Sequence, residues 1–437
     1  MSEGSEPTVP GGPGDLSVGD EVEVEVGPVA HGGFCVARHE GRVMFVRHAL
    51  PGERVVARVT EAREGQRFVR ADAVGVTTAS PHRVQPPCPY AGPGRCGGCD
   101  FQHADLAYQR ELKTAVVREQ LSRLAGLEVD VEVEALPGAP DGLGWRTRVE
   151  FAVDETGRAG LRKHRSHDLV PVDTCLIADP RVLATGVLEQ DWAGEQSVDV
   201  VAPSVGEPVV VPVPGAEAVP VVTEAVRGDR FSGEFEVSAR GFWQVHPAAA
   251  TTFVDTVLGM LAPRAGDTAL DLYAGVGLFA RALAEQVGPT GRVVAVESDP
   301  RATDEAERNL AAHPSTLVVR ARVDDAFGVP RPTRKGSSGN RRAARGRKLR
   351  RHPMLPPTAD LVVLDPPRTG AGREVVAQVA ALGARAVAYV ACDPAALARD
   401  TAYLADHGYA LQALRAFDAF PMTHHLECIA LFERTRT

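Results

Sequence analysis

After about residue 245 the sequence alternates strictly between apolar runs and amphipathic runs, and this pattern constrains the fold more than any other feature. Runs typical of helices separate the apolar runs, except that a basic segment follows the third. The strand-like runs are TALDLYAG, RVVAVESDP, TLVVRARV, ADLVVLDPP and ARAVAYVACDP, with closing strands after them. This alternation predicts a mostly parallel sheet covered by helices on both faces. Ligands of such sheets bind at the carboxyl ends of the strands.

The region before this sheet divides into three segments. Residues 1–16 form an acidic leader rich in Gly and Pro, which we expect to be disordered. Residues 17–76 alternate Val-rich and polar positions between turn signals, a pattern that predicts a small β-barrel. Residues 77–243 hold a cysteine-rich segment, a predicted helix at 104–126 and further strands, and we expect a β-rich middle domain. The sheet domain then spans 244–437.

The charge of the chain is unevenly distributed. A formal net charge of -9 argues against a uniformly basic nucleic-acid binder. Residues 331–352 carry ten Lys or Arg and no acid, so the remainder carries -19, ten below the total. We expect this basic insertion to be a disordered loop that binds a phosphate backbone, and a merely solvated insertion is the alternative.

Targeting and membrane signals are absent from the sequence. The N-terminus has neither the basic nor the apolar region of a secretory signal. Apolar runs all fall short of the ~20 residues that a membrane span requires. We therefore expect a cytoplasmic protein, where clustered cysteines more often bind metal or do chemistry than form disulfides.

The first strand ends carry candidate cofactor-binding residues. DLYAGVGLF places Gly275 and Gly277 directly after a strand, and Glu297 ends the next strand, where a carboxylate can accept both hydroxyls of a ribose. A nicotinamide dinucleotide would prefer a third glycine where Ala280 stands, so the motif favours S-adenosylmethionine. Asp325, after the third strand, is then placed to reach the adenine. A loop that merely turns tightly is the alternative.

Two later strand ends carry candidate residues for the chemistry. LDPPRTG places Asp365 at the pocket rim, facing cofactor or substrate. VACDP places Cys392 just before a helix that begins at Pro394, and a helix N-terminus lowers the pKa of a nearby thiol. Cys392 is therefore a candidate nucleophile, and a buried small hydrophobic residue is the alternative.

Together these motifs resemble the RNA 5-methyluridine methyltransferase family, in the order that the family has them. The resemblance is carried by GFWQVHP, DLYAGVGLF, VVAVESDP, LDPPRTG, ACDPAALARD and HHLECIALFER. It implies a class I S-adenosylmethionine-dependent methyltransferase domain with a Rossmann-like α/β fold. Residues 17–76 resemble the TRAM domain, an OB-like β-barrel, and the resemblance covers almost everything after residue 16.

The resemblance implies roles for individual residues. Cys392 is the nucleophile that adds to C6 of uracil, and Glu427 is the base that removes the C5 proton. For Glu427 a solvated strand residue is the alternative. The residues implied to hold the cofactor are Gln244, Tyr273, Gly275, Gly277, Glu297, Asp325 and Asp365. Three positions depart from the family's usual Asn, namely His246, Leu278 and Asp393.

Four cysteines form a candidate metal set. CPYAGPGRCGGCDFQH contains Cys88, Cys96 and Cys99, and with the later DTCLIADP, which contains Cys175, it resembles the family's iron-sulfur segment. Four thiolates favour an iron-sulfur cluster or zinc, and His103 adds a Cys₃His zinc alternative. The resemblance favours [4Fe-4S] over zinc. Reduced thiols that bind no metal are the remaining alternative.

The resemblance also implies the partner. We expect RNA, with 23S ribosomal RNA first and transfer RNA second, no membrane, and no obligate protein partner. The target uracil must be reached out of a base stack, so a folded loop or a flipped base is expected. Two other readings compete: an amino-group methyltransferase that uses the DPPR motif without a cysteine, and an RNA-binding module without catalysis.

Overall fold

The structure is a computed structural model that describes residues 16–63, 65–330 and 350–435. The predicted leader, apart from Leu16, and residues 331–349 of the basic insertion lie outside the described residues. The chain divides into two compact units. The first holds residues up to 112 together with 162–170 and 422–424, and the second holds the rest. In the described parts of the chain, every helix is too short or too polar to cross a membrane.

A closed five-stranded barrel forms the beginning of the first unit. Its strands are β1 (Glu21–Ala30), β2 (Phe34–His39), β3 (Arg42–Arg47), β4 (Arg54–Glu61) and β5 (Phe68–Thr78), in the order β1-β2-β3-β5-β4. Along β1, Val24 and Val26 are buried while Glu23 and Glu25 are exposed, because successive side chains of a strand point to opposite faces. The small N-terminal barrel predicted from the period of two is confirmed.

The middle of the chain is β-rich, as predicted, after the helix α1 (Leu106–Ala125). Its elements are β6 (Val133–Ala135), β7 (Arg148–Val153), β8 (Ala159–Arg162), β9 (Leu169–Pro171), α2 (Pro180–Leu183), β10 (Ser197–Val201), β11 (Val209–Val213), β12 (Val221–Arg227) and β13 (Ser232–Ser238). A five-stranded sheet has the order β11-β10-β7-β8-β9, and β12 pairs with β13.

An eight-stranded sheet dominates the second unit and confirms the predicted α/β fold. Its order is β16-β15-β14-β17-β18-β20-β19-β6. The elements from α3 onward are α3 (Ala249–Leu261), β14 (Thr268–Leu272), α4 (Leu278–Val287), β15 (Arg292–Glu297), α5 (Pro300–Asn309), β16 (Thr316–Arg320), α6 (Val323–Ala326), β17 (Leu361–Leu364), α7 (Arg373–Ala381), β18 (Ala386–Ala391), α8 (Pro394–Asp406), β19 (Tyr409–Asp418) and β20 (Glu427–Arg434). Strands β14 to β18 run parallel, and β20 runs antiparallel to both its neighbours.

Two hydrophobic clusters cover the two faces of this sheet. On β14, Ala269 belongs to one cluster, while Leu270 and Leu272 belong to the other. Such alternation between two buried faces is what a parallel sheet with helices on both sides requires. Polar groups that directly follow β14, β15, β17 and β18 are therefore gathered at one edge of the sheet.

Candidate active site

A cavity of about 1120 Å³ lies at this edge. Seven of the nine residues predicted to act in catalysis or cofactor binding line it: Gln244, Tyr273, Gly275, Glu297, Asp365, Cys392 and Glu427. Gly277 and Asp325 are not among the lining residues. The parallel sheet thus brings together side chains that are more than a hundred residues apart in sequence.

Glu297 ties the ends of β14 and β15 together. Its carboxylate accepts hydrogen bonds from the backbone N–H groups of Gly275 (2.9 Å), Ser298 (2.5 Å) and Asp299 (2.7 Å). These bonds fix the carboxylate at the cavity wall before any ligand binds. The Ser298 hydroxyl also donates to Oε1 at 3.3 Å, whereas the bond from Gly275 is to Oε2, which therefore has a lone pair left for a ribose hydroxyl.

Gly277 and Asp325 follow the first and third strands of the sheet, as predicted, but they do not line the cavity, and their contacts with a cofactor stay predictions. Gly277 is the N-cap of α4 with a φ of 88°, and a Cβ there would lie 3.3 Å from Leu310 Cδ1. The glycine therefore serves the start of the helix and its packing rather than the cavity wall. Asp325 lies on α6, a one-turn helix. The neighbouring Asp324 affects Tyr273 in the cavity wall. Burial is the largest cause that raises the pKa of Tyr273, and the negative charge of Asp324 raises it further.

Cys392, the residue that directly follows β18, lies opposite Glu427, the first residue of β20. Ala391 pairs with Cys428, so the next positions in this antiparallel register are Cys392 and Glu427. Burial, followed by the charges of Glu427 and Asp365, raises the pKa of Cys392 to about 11. The predicted lowering of this pKa is therefore wrong, because burial and the nearby carboxylates raise the pKa more than the charge of Arg368 lowers it.

Buried carboxyl groups surround the thiol. Burial, and then the charge of Asp365, raises the pKa of Glu427 well above its usual range. Burial also raises the pKa of Asp365 to about 7 and that of Asp271 to about 8. Asp271 Oδ2 accepts from Ala280 N–H at 2.7 Å, and Oδ1 has no partner in the described chain. Sequence reasoning missed Asp271, although an acid within the apolar strand TALDL was the available signal.

Arg368 is a second residue whose role the sequence did not predict. It lines the cavity rim and is exposed. Its positive charge lowers the pKa values of Cys392 and Glu427, against the effect of burial. The DPPR motif drew attention to this residue, but the motif gives no distance to the thiol.

The three departures from the family pattern have local structural roles. Leu278 begins α4 and is buried in the core. Asp393 is the N-cap of α8, where its side chain accepts from Ala396 N–H at 2.8 Å. His246 is buried and stacks on Trp145, with their ring centroids 6.1 Å apart.

The predicted metal set is divided between the two units. Cys88, Cys96 and Cys99 belong to the first unit, and Cys175 belongs to the second. Gly98 N–H donates to Cys96 Sγ at 3.4 Å. Among the residues that the structure describes, no group of three or more His, Cys, Asp and Glu side chains is arranged to hold a metal ion. Four thiols are the donor type that an iron-sulfur cluster requires, and the iron-sulfur site stays a prediction.

Comparisons with known proteins agree with this geometry. Residues 222–435 match the tRNA (Uracil-5-)-methyltransferase family, and residues 15–74 match the TRAM domain. A Streptomyces avermitilis protein named as an uncharacterized RNA methyltransferase is 48% identical, over 95% of this chain and 99% of its own length. The Chromohalobacter salexigens protein named 23S rRNA (uracil(1939)-C(5))-methyltransferase RlmD is 32% identical, over 96% of this chain and 90% of its own length.

A solved structure has the same fold. The Pyrococcus abyssi tRNA (uracil-54, C5)-methyltransferase, in complex with S-adenosyl-L-homocysteine, superimposes with a TM-score of 0.63 at 21% identity. The match covers 93% of this chain and 99% of the archaeal one. It extends over both the barrel and the sheet domain.

Proposed function

This chain belongs to the RNA uracil-5-methyltransferase family, and from that premise we propose that it methylates C5 of a uridine in 23S ribosomal RNA through a covalent bond to Cys392. The observation that carries the proposal is the placement of Cys392 and Glu427 opposite each other in one cavity. A nucleophile and a base on adjacent strands are what this chemistry needs, because one adds to C6 and the other acts at C5.

The proposed reaction balances around the uracil ring. The Cys392 thiolate forms a bond to C6, and the electron pair of the C5–C6 double bond moves to the C4 carbonyl as an enolate. C5 forms its new bond to the electrophilic methyl carbon that S-adenosylmethionine would supply, as the methyl–sulfur bond breaks and its electron pair leaves with the sulfur of S-adenosylhomocysteine. Glu427 then takes the C5 proton, the double bond forms again, and the C6–S bond breaks to release the thiolate.

The cavity residues support a binding site for S-adenosylmethionine. Gln244, Tyr273, Gly275, Glu297 and Asp365 all line it, and we propose them as the contact set. We propose that Gly277 acts indirectly, by shaping the loop between β14 and α4. Asp325 is not included in the contact set, because it does not line the cavity. The fixed carboxylate of Glu297 is suited to the ribose hydroxyls.

The cavity rim supports an RNA substrate. Arg240, Arg301 and Arg368 lie there, together with Phe242, whose side chain is 74% exposed. Arginines bind phosphates, and exposed aromatic rings stack on unpaired bases. The TRAM domain match favours 23S ribosomal RNA, and so does the activity for which the Chromohalobacter relative is named. Transfer RNA is the second candidate, favoured by the archaeal structure.

Nucleoside analysis tests this proposal. The full chain is incubated with S-adenosylmethionine and either 23S ribosomal RNA or transfer RNA transcripts, and the products are measured by mass spectrometry. We expect 5-methyluridine in the ribosomal RNA, its loss with Cys392→Ala, and its retention with Cys35→Ala, a matched buried thiol in the barrel. A different methylated nucleoside, formed equally by Cys392→Ala, would instead support an amino-group methyltransferase.

We also propose that Cys88, Cys96, Cys99 and Cys175 bind a [4Fe-4S] cluster with a structural role. Three thiols within twelve residues and an amide N–H directed at Cys96 Sγ support this, since thiolates of such clusters accept hydrogen bonds. Protein purified without oxygen should contain iron and sulfide and absorb near ~400 nm. Stoichiometric zinc without iron would overturn the assignment.

A further inference from the structure

Residues 422–424 lie just before β20 and are held by the first unit. Asp100, whose side chain is 8% exposed, accepts hydrogen bonds from His424 N–H at 3.1 Å and from His424 Nδ1 at 2.6 Å. Arg47 of the barrel donates to the other carboxylate oxygen at 3.1 Å. One buried carboxylate therefore joins the barrel to this segment.

Hydrogen bonds also fix the backbone of Met422. Its carbonyl accepts from the N–H groups of both Asp100 and Phe101 at 2.9 Å. Its own N–H donates to the fully buried Gln109 at 2.9 Å. Met422 has a φ of 67°, a conformation that costs energy for a side chain of this size and persists only when its surroundings impose it.

The barrel also limits the space around His424. A Cβ added at Gly33 would lie 2.6 Å from His424 Cβ, so the barrel turn is in close contact with the imidazole. Three separate parts of the first unit, namely the barrel, the cysteine segment and the start of α1, therefore contact Met422 or His424. Surface loops that merely connect strands rarely have so many specific contacts.

His424 is three residues before Glu427, and three residues of chain span at most ~11 Å. We propose that Asp100 and His424 are positioning residues that direct the Glu427 carboxylate at C5 of the bound uracil. This inference rests on the proposed function and deepens it, because it assigns the first unit a part in one step of the reaction.

Removal of the C5 proton by Glu427 has a specific experimental signature. Glu427 acts after methyl transfer, when the methylated base is still bonded to Cys392. If Glu427 is displaced, the C5 proton leaves slowly and the C6–S bond cannot break, so the covalent protein–RNA adduct accumulates. A variant that is only destabilised would instead form less adduct and less product together.

Substitutions at His424 test the inference in the full chain with 23S ribosomal RNA transcript. His424→Ala removes the side-chain donor, whereas His424→Asn places an amide N–H close to the position of Nδ1. We expect His424→Ala to lower turnover by roughly tenfold or more, since small misplacements of catalytic groups have effects of this size. The adduct fraction on denaturing gels should rise, S-adenosylmethionine affinity should be unchanged, and His424→Asn should restore turnover.

Two further variants complete the experiment. Asp100→Asn should reproduce the adduct of His424→Ala. Asp105→Asn is the matched control, because the hydrogen bonds of the Asp105 carboxylate join it to the half-buried His82 at 3.0 Å and to Tyr108 N–H at 2.8 Å. The inference is overturned if His424→Ala loses turnover without added adduct or retains wild-type turnover. If the wild type forms no 5-methyluridine at all, the proposed function itself fails, and that result is distinct.

Discussion

The ionisation of Cys392 depends on the balance of charge around one sulfur atom. Burial and the nearby carboxylates raise its pKa to about 11, while Arg368 opposes them. In the proposed mechanism the thiolate is the attacking form, so the thiolate fraction would limit the first step at neutral pH. Arg368 can therefore affect the rate through the pKa of Cys392, in addition to any contact that it makes with RNA at the cavity rim.

Removing the charge of Arg368 should therefore slow the reaction in a pH-dependent way. Arg368→Gln raises the pKa of Cys392 further, so the rising limb of kcat/KM against pH should move to higher pH. Because the arginine is exposed and its charge is screened, we expect a loss of less than about tenfold at pH 7.5, recovered as the pH rises. Arg373→Gln, at an exposed arginine that pairs with Asp406, should leave the profile unchanged. A uniform loss at every pH would contradict this role.

The two glycines of DLYAGVGLF should respond differently to alanine. At Gly277 the added methyl meets Leu310 at 3.3 Å with a φ of 88°, so we expect a loss of about 1–3 kcal/mol in the free energy of unfolding. At Gly275 the added methyl meets no atom within 4 Å, and the residue lines the cavity. Because the φ of Gly275 is also positive, at 53°, Gly275→Ala should weaken S-adenosylmethionine binding and cost a smaller amount of stability than Gly277→Ala. Calorimetry measures the S-adenosylmethionine affinity of both variants, and urea unfolding measures their free energy of unfolding. Equal effects of the two substitutions on binding would contradict the prediction.

At the scale of elements, α8 holds the loop that follows Asp365. The buried carboxylate of Asp400 accepts from Ala371 N–H at 2.7 Å, from Gly372 N–H at 3.2 Å and from the Tyr389 hydroxyl at 2.6 Å. It thereby caps α7 from a neighbouring helix, where α7 has no side-chain cap of its own. The position of the DPPR loop thus depends on a residue outside that motif.

Asp400→Asn should loosen this loop. An amide has only one acceptor oxygen, so at least one buried N–H loses its partner, and we expect the free energy of unfolding to fall by about 1–3 kcal/mol. Asp406→Asn, on the exposed side of α8, should change it by less than about 0.5 kcal/mol. Urea unfolding of both variants measures the difference, and equal stabilities would show that Asp400 is dispensable.

The elements of the sheet could be predicted from sequence because each strand is a short apolar run between helices. β6 could not, because the three residues of Val133–Ala135 carry no periodic signal and their pairing with β19 depends on tertiary structure. The third strand was predicted to end three residues too late, at Val323 instead of Arg320, since Val323 begins α6 and is buried there. Cavity residues at strand ends were predictable from topology. The raised pKa of Cys392 was not, because it depends on distances between side chains of different strands.

At the scale of the whole molecule, an acidic protein must bind an acidic polymer. The net charge is -9, yet eight Lys and Arg lie between residues 331 and 348, outside the described residues. Repulsion between the remaining acidic surface and RNA makes local clusters of positive charge necessary for binding. The rim arginines are one such cluster, and this segment is the other that the sequence provides.

Replacing those eight Lys and Arg with Gln should weaken RNA binding at low salt and flatten its salt dependence, because each lost phosphate contact lowers the slope of log K against log salt by ~0.7–0.9. S-adenosylmethionine affinity should not change, since the cavity is untouched. A control variant replaces Arg308 and Arg320 with Gln, two exposed arginines already paired with Glu236 and Asp304. Filter binding of 23S ribosomal RNA transcript at several salt concentrations measures the slope. If the slope stays at the wild-type value, the segment is a solvated insertion, and the rim and barrel must supply the contacts to RNA.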